Sequence, residues 1–172
     1  MNIFLTGPVQ IGKSTAIQRY LSANPAVRLG GFATKNVPSL AEAAERDVYI
    51  LPPMWGKGDL LPSRLAARRR NGVWTLYPEV FDSVGTAFLA AEGPFDLLLM
   101  DELGRMELRS AAFRAAVLAA LDGDVPVLGV IKPEGNPFLD AVRAHPKTAV
   151  LEVTEENRDG MPARISALLG RR

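Results

Sequence analysis

Nine residues near the start of the chain, Gly-Pro-Val-Gln-Ile-Gly-Lys-Ser-Thr at positions 7–15, constrain its fold more than any other stretch. They follow the apolar run Ile3-Phe4-Leu5, which reads with its neighbours as a buried strand over Asn2 to Thr6. Behind them, Ala16, Ile17, Tyr20 and Leu21 recur at helical spacing and predict a helix over Ser14 to Leu21. The order is strand, loop, helix. Gly7, Gly12, Lys13 and Ser14 satisfy the spacing G-x-x-x-x-G-K-[ST], in which backbone N–H groups and the positive end of the helix wrap a phosphate. Lys13 adds a point charge beside the phosphates, and the Ser14 hydroxyl is placed to ligate magnesium.

A loop of this kind needs a sheet around it, and the rest of the chain provides one. Leu29 to Val37 and Asp47 to Leu51 are β-like runs read as an antiparallel addition. Between them, Ser39-Leu40-Ala41-Glu42 has the spacing of a helix capping box. Pro52 to Arg70 is rich in Pro, Gly and Arg without a clean period, and reads as a long surface excursion. After Val73-Trp74-Thr75-Leu76, a helix is expected from Pro78 through Ala91, ended by Gly93-Pro94. Buried strands at Phe95–Met100, Val125–Ile131 and Ala149–Val153 then alternate with helices at Ser110–Leu121, Phe138–Ala144 and Pro162–Leu169. That alternation predicts one α/β domain over residues 1–172, with a mostly parallel core sheet covered on both faces and antiparallel additions.

Bulk properties narrow the chemistry. With 20 basic and 19 acidic residues the net charge is +1, so no global field points to nucleic acid or an anionic membrane, and any anion site is local. There is no cysteine and a single histidine, His145, which excludes thiolate metal sites, a cysteine nucleophile and a histidine pair for zinc. An oxygen-ligated Mg2+ remains. Neither a signal peptide nor an apolar run approaching about 18 residues is readable, so a cytoplasmic protein is expected.

A nucleotide site of this type requires a carboxylate at the end of a neighbouring buried strand to hold the magnesium. "LLLMDE" provides Asp101 at the carboxyl edge of the sheet, where open α/β sheets bind ligands. Glu102 follows directly, and an acid in that position can orient or polarise an attacking water.

With these motifs in view, the chain closely resembles the small P-loop family of the cancer-related nucleoside-triphosphatase and its microbial relatives. The resemblance runs in order through "FLTGPVQIGKST", "GFATKNV", "LPSRLA", "DELGRMEL", "LGVIK" and "TEENR", from residue 3 to 158. Two departures stand out: Gln10 occupies a position where the family usually has glycine, and residues 52–70 match only loosely outside Pro62-Ser63-Arg64. The resemblance implies the three-layer P-loop NTPase fold and magnesium-dependent hydrolysis of nucleoside triphosphates. Gly7, Pro8, Val9, Gln10, Ile11, Gly12, Lys13, Ser14 and Thr15 would bind the phosphates, with Ser14 and Asp101 serving the metal. Lys13 and Glu102 would be catalytic, and Arg105 would approach the γ-phosphate. Thr154, Asn157 and Arg158, matching T-x-x-N-R, would lie where a nucleobase can be contacted; an ordinary helix cap is the alternative.

Other features leave alternatives open. Arg64, Arg68, Arg69 and Arg70 form the one strong basic cluster, either a solvated face or an electrostatic lid over a triphosphate. Trp55 and Trp74 pack at a rim or stack on a base. His145, ahead of Pro146, reads as a turn residue. A small-molecule kinase and a slow nucleotide-dependent switch compete with the hydrolase; the kinase would need an acceptor pocket, for which 52–70 is the segment with room.

Overall fold

The computed structural model describes residues 1–38 and 45–170, so the capping-box tetrapeptide at 39–42 lies outside the described residues. Short continuous apolar runs become the core strands, and apolar residues at helical spacing become helices. In chain order these are β1 (Asn2–Thr6), α1 (Lys13–Ala23), β2 (Leu29–Pro38), β3 (Arg46–Leu51), β4 (Leu65–Arg70), β5 (Val73–Leu76), α2 (Pro78–Val80), α3 (Thr86–Ala90), β6 (Leu97–Leu103), α4 (Ala111–Asp122), β7 (Val127–Ile131), α5 (Pro137–Ala144), β8 (Thr148–Glu152) and α6 (Met161–Leu169). The strands form one sheet in the order β5-β4-β3-β2-β6-β7-β1-β8. β2, β6, β7, β1 and β8 run parallel, while β3, β4 and β5 extend one edge antiparallel.

Alternation along the strands divides the core into two layers. Ile3, Leu5, Leu97, Leu99, Leu128 and Val130 face one side, covered by Ala16, Ile17 and Tyr20 of α1 and by Met161 and Ile165 of α6. Phe4, Leu98, Met100, Val127 and Ile131 face the other, under Phe113, Val117 and Leu121 of α4 and the apolar face of α5. The sheet is therefore the middle of three layers, as the α/β reading expects. Crossover helices force every parallel strand to end on the same edge, and β1 and β6 deliver their loop and carboxylates there.

Two expectations need correction. β2 is a parallel core strand beside β6, with Gly30 opposite Leu98 and Ala33 opposite Asp101, so the antiparallel addition begins only at β3. Residues 52–70 are not wholly irregular: after two short 3-10 turns at Lys57–Asp59 and Pro62–Arg64 they enter β4, where Ala66 and Ala67 are fully buried. The strand was obscured because its second half is three arginines of the basic cluster, Arg68, Arg69 and Arg70. The helix expected over 78–91 is present without a break over 78–90, α2 and α3 being continuous through a π-turn at Phe81–Gly85, where Asp82 accepts from the N–H of Phe113 (2.9 Å).

The basic cluster does not form a lid. β4 is separated from β1 by β3, β2, β6 and β7. Arg68 donates to Asp47 at 3.0 and 3.2 Å, Arg70 donates to it at 2.9 Å and also pairs with Glu45, and Arg64 pairs with Asp59. Burial pushes the Asp47 carboxyl up, but its hydrogen bonds to Arg68 and Arg70 outweigh this and hold it below the usual range. His145 follows α5, with Nε2 3.2 Å from Asp122, in keeping with a turn residue.

Candidate active site

β1 stops at Thr6 because the chain must reverse into α1 within six residues, and it does so on left-handed backbone. Gly7 and Gly12 have φ of 132° and 114°. A Cβ on Gly7 would lie 2.6 Å from the Val153 carbonyl, so that position excludes side chains by space as well as by conformation. Gln10, where the resembling family has glycine, has φ 62°, a left-handed conformation costly to a residue with a Cβ. Helix α1 begins with no side-chain cap and no acid in its first turn, leaving its first N–H groups and partial positive charge for an anion. The Lys13 ammonium crosses the loop and donates to the carbonyls of Gly7 (2.7 Å) and Pro8 (2.6 Å). Desolvation lowers its pKa; nearby Glu102 opposes that and Lys132 adds to it.

Two strands away, β6 carries Asp101, 7% exposed, in register with Ala33 of β2 and Val130 of β7. The Ser14 hydroxyl donates to its Oδ1 at 3.4 Å, and the Lys35 ammonium holds its Oδ2 at 2.6 Å. A nearly buried carboxylate beside a hydroxyl is an oxygen donor pair suited to a hard divalent cation, and the carboxylate already holds a cation, Lys35. Among the described residues no group of three or more acidic or histidine side chains converges, so a cation here would take further ligands from phosphate and water.

Glu102 lines a different cavity. Its carboxylate lies 3.4 Å from the Lys132 ammonium, just beyond β7. Arg105 is also at that cavity, 81% exposed and 3.5 Å from Glu134. Glu107, 2% exposed, accepts the Gly104 N–H at 3.0 Å; desolvation pushes its carboxyl up to about 7. On the opposite flank of the loop, Arg158 packs alongside Gly12 and borders a cavity of about 260 Å3 with Gln10, Thr15 and Arg19. Asn157 is committed to its own turn: its carbonyl oxygen accepts from the Thr154 N–H (2.9 Å) and its amide donates to the Glu152 carbonyl (2.9 Å).

The family model described as NTPase matches residues 2–166, nearly the whole chain. The chain belongs to this NTPase family. Among its relatives, the nucleoside-triphosphatase THEP1 of Methanosarcina barkeri is 32% identical over 169 residues, covering 96% of this chain and 95% of the relative. That of Thermofilum pendens is also 32% identical, at 96% and 93% coverage. The crystal structure of THEP1 from Aquifex aeolicus matches 99% of this chain and 100% of its own, with a TM-score of 0.74 and 25% identity. The solution structure of a human cancer-related nucleoside triphosphatase matches with a TM-score of 0.68 and 26% identity, over 99% and 98% of the two chains.

For this family member the structure brings together Lys13, Ser14, Asp101 and Glu102 at one sheet edge, with Arg105 at its rim and Arg158 on the far flank of the loop. Lys35 and Lys132 were not singled out in the sequence. Both stand in segments that carried the resemblance, "GFATKNV" and "LGVIK", but a lone lysine near a strand end has no local signature; only the sheet order places each beside a site carboxylate.

Proposed function

We propose that the chain is a magnesium-dependent nucleoside-triphosphatase that cleaves the β–γ bond with water as acceptor. The observation that carries this is the approach of Ser14 to Asp101 directly behind the glycine loop, joining two motifs 87 residues apart at 3.4 Å. Family membership agrees with it. The free N–H groups of the loop and of α1 bind phosphate oxygens, and Lys13 exchanges the Gly7 and Pro8 carbonyls for them. Ser14 and Asp101 would hold Mg2+, which would supply positive charge to neutralise the phosphate oxygens. Lys35, which pairs with Asp101 in the structure, would yield that carboxylate oxygen to a bound cation. Glu102 orients the attacking water and receives its proton, while Lys132 holds that carboxylate and adds positive charge beside the γ-phosphate. Arg105, exposed and weakly held, approaches the same oxygens. Arg158 faces ribose or base across the 260 Å3 cavity, and Asn157 shapes the turn that presents it. No helix among the described residues is long and apolar enough to cross a membrane.

The test is phosphate release from ATP, GTP, CTP and UTP by wild type, Glu102→Gln and Asp101→Asn, with nucleotide affinity measured alongside. Glu102→Gln should bind as wild type while kcat falls about 10²–10⁴-fold, the loss typical of a general base. Asp101→Asn should lose magnesium-dependent binding and turnover together. Turnover by Glu102→Gln at the wild-type rate would refute the role of that carboxylate.

A further inference from the structure

Glu102 faces an open cavity of about 460 Å3, which the Trp74 indole also lines, so the orientation of its carboxylate rests on polar contacts rather than on close packing. The contact is Lys132, 3.4 Å away, and Lys132 is itself a long side chain, 38% exposed. Its ammonium is placed by the course of its stem and by the backbone beneath it. The stem crosses Gly104 closely: a Cβ on that glycine would lie 3.1 Å from Lys132 Cδ. The Lys132 N–H continues the ladder between β6 and β7 by donating to the Leu103 carbonyl at 3.0 Å. Its carbonyl, the first beyond β7, accepts from the Arg143 guanidinium of α5.

Arg143 closes more than one hydrogen bond. The same Nη2 donates to the Glu134 carbonyl at 3.0 Å, while Nη1 pairs with Asp140, one turn back on α5, at 2.8 Å. The five residues between β7 and α5 are thereby tied at both ends, since Asn136 caps α5 by accepting from the Leu139 N–H at 2.9 Å. Two side chains of this loop meet the reacting edge: Lys132 reaches Glu102, and Glu134 lies 3.5 Å from Arg105. Three acceptors held in fixed directions by one planar fork is a task for arginine; a lysine ammonium is a point charge on a flexible stem. Arg143 itself lines neither the Glu102 cavity nor the 260 Å3 cavity beside the phosphate loop.

We propose that Arg143 is a positioning residue for hydrolysis. From α5, outside both cavities, it fixes the backbone of Lys132 and Glu134 and through them sets Glu102 and Arg105 toward the γ-phosphate. This rests on the roles given above to Glu102, Lys132 and Arg105.

The experiment measures phosphate release from ATP with magnesium, together with Tm, for four full-length proteins: wild type, Arg143→Met, Lys132→Met and the double variant. Arg143→Met keeps a stem on α5 and removes the fork. Its kcat should fall about tenfold with KM for ATP within about twofold of wild type, because misplacing a reacting group by part of an ångström acts on the chemical step and not on phosphate binding. In the Lys132→Met background the same substitution should cost no more than about threefold, the share that passes through Arg105. A residue that only stapled α5 to the sheet would lower Tm and cost the same factor in both backgrounds. That outcome overturns the proposal, as does an Arg143→Met kcat within about twofold of wild type, or a raised KM with kcat unchanged. If Arg143→Met unfolds at the assay temperature, Arg143→Lys carries the cycle: it keeps the pair with Asp140 and a donor for one carbonyl, and should lose about threefold with the same dependence on Lys132. Wild-type turnover by Glu102→Gln would refute the hydrolytic reading, whereas wild-type turnover by Arg143→Met beside an impaired Glu102→Gln would refute the role of Arg143 alone.

Discussion

Glu107→Gln tests whether the buried carboxyl beside the active-site cavity is held near neutrality. Glu107 is 2% exposed and its pKa is raised from 4.5 to about 7, chiefly by desolvation, against a hydrogen bond from Gly104. Because the folded state binds the proton more tightly than the unfolded chain, this group's stabilising contribution is fully present below pH 4.5 and is lost as pH rises through 7. Linkage over that shift amounts to about 2–3 kcal/mol lost between pH 5 and pH 8. Glutamine keeps a carbonyl oxygen for the Gly104 N–H and does not titrate. Urea unfolding of both proteins at pH 5, 6, 7 and 8 gives the measurement. Wild type should lose about 2–3 kcal/mol more than Glu107→Gln across the series, with the gap opening between pH 5 and 7. Parallel pH profiles would refute the claim that Glu107 takes up a proton on folding, and a gap that opened below pH 4 would reverse its sign.

Lys13→Ala should leave thermal unfolding near wild type and reduce kcat/KM for ATP by at least about 10²-fold, since the ammonium's carbonyl contacts lie on a surface loop whereas its charge faces phosphate; turnover within a few-fold of wild type would sink the loop assignment. Lys35→Met should lower the magnesium concentration for half-maximal turnover about fivefold, because it removes a partly buried cation competing for Asp101, an interaction of about 1 kcal/mol; a raised requirement would mean Lys35 serves the bound state instead. Gln10→Gly should raise stability by about 0.5–1 kcal/mol, the relief of left-handed strain exceeding the added freedom of the unfolded chain, as read by Tm. Asp47→Asn strips charge from the carboxylate shared by Arg68 and Arg70 and should cost about 1–2 kcal/mol, discounted because both arginines reach solvent; kcat/KM should be unchanged, and a large drop would reinstate the lid.

The phosphate loop was legible because its meaning is local. Gly7 and Gly12 are required by backbone conformation within six residues, and Lys13, Ser14 and the start of α1 follow from adjacency to β1. The same holds for Asp101 and Glu102 at the end of an apolar run, and for the strand–helix alternation that specified a parallel sheet. β4 was missed because its alternation dissolves into three consecutive arginines, whose pairing with Asp47 and Glu45 is stabilising only once β3 and β4 lie side by side. The placing of β2 in the parallel core depended on its neighbour β6, whose register partners stand 68 positions further along the chain, Leu97 opposite Leu29 and Asp101 opposite Ala33, beyond the reach of a local reading. By itself the sequence determined the fold class, the phosphate loop and the acidic pair, since short-range sterics and hydrophobic period specify them. Tertiary structure alone decided which cation meets which carboxylate, Lys35 on Asp101 and Lys132 near Glu102, and that Glu102 opens on an aromatic-walled cavity. Those contacts depend on strand order, and strand order is settled by packing between segments far apart in the chain.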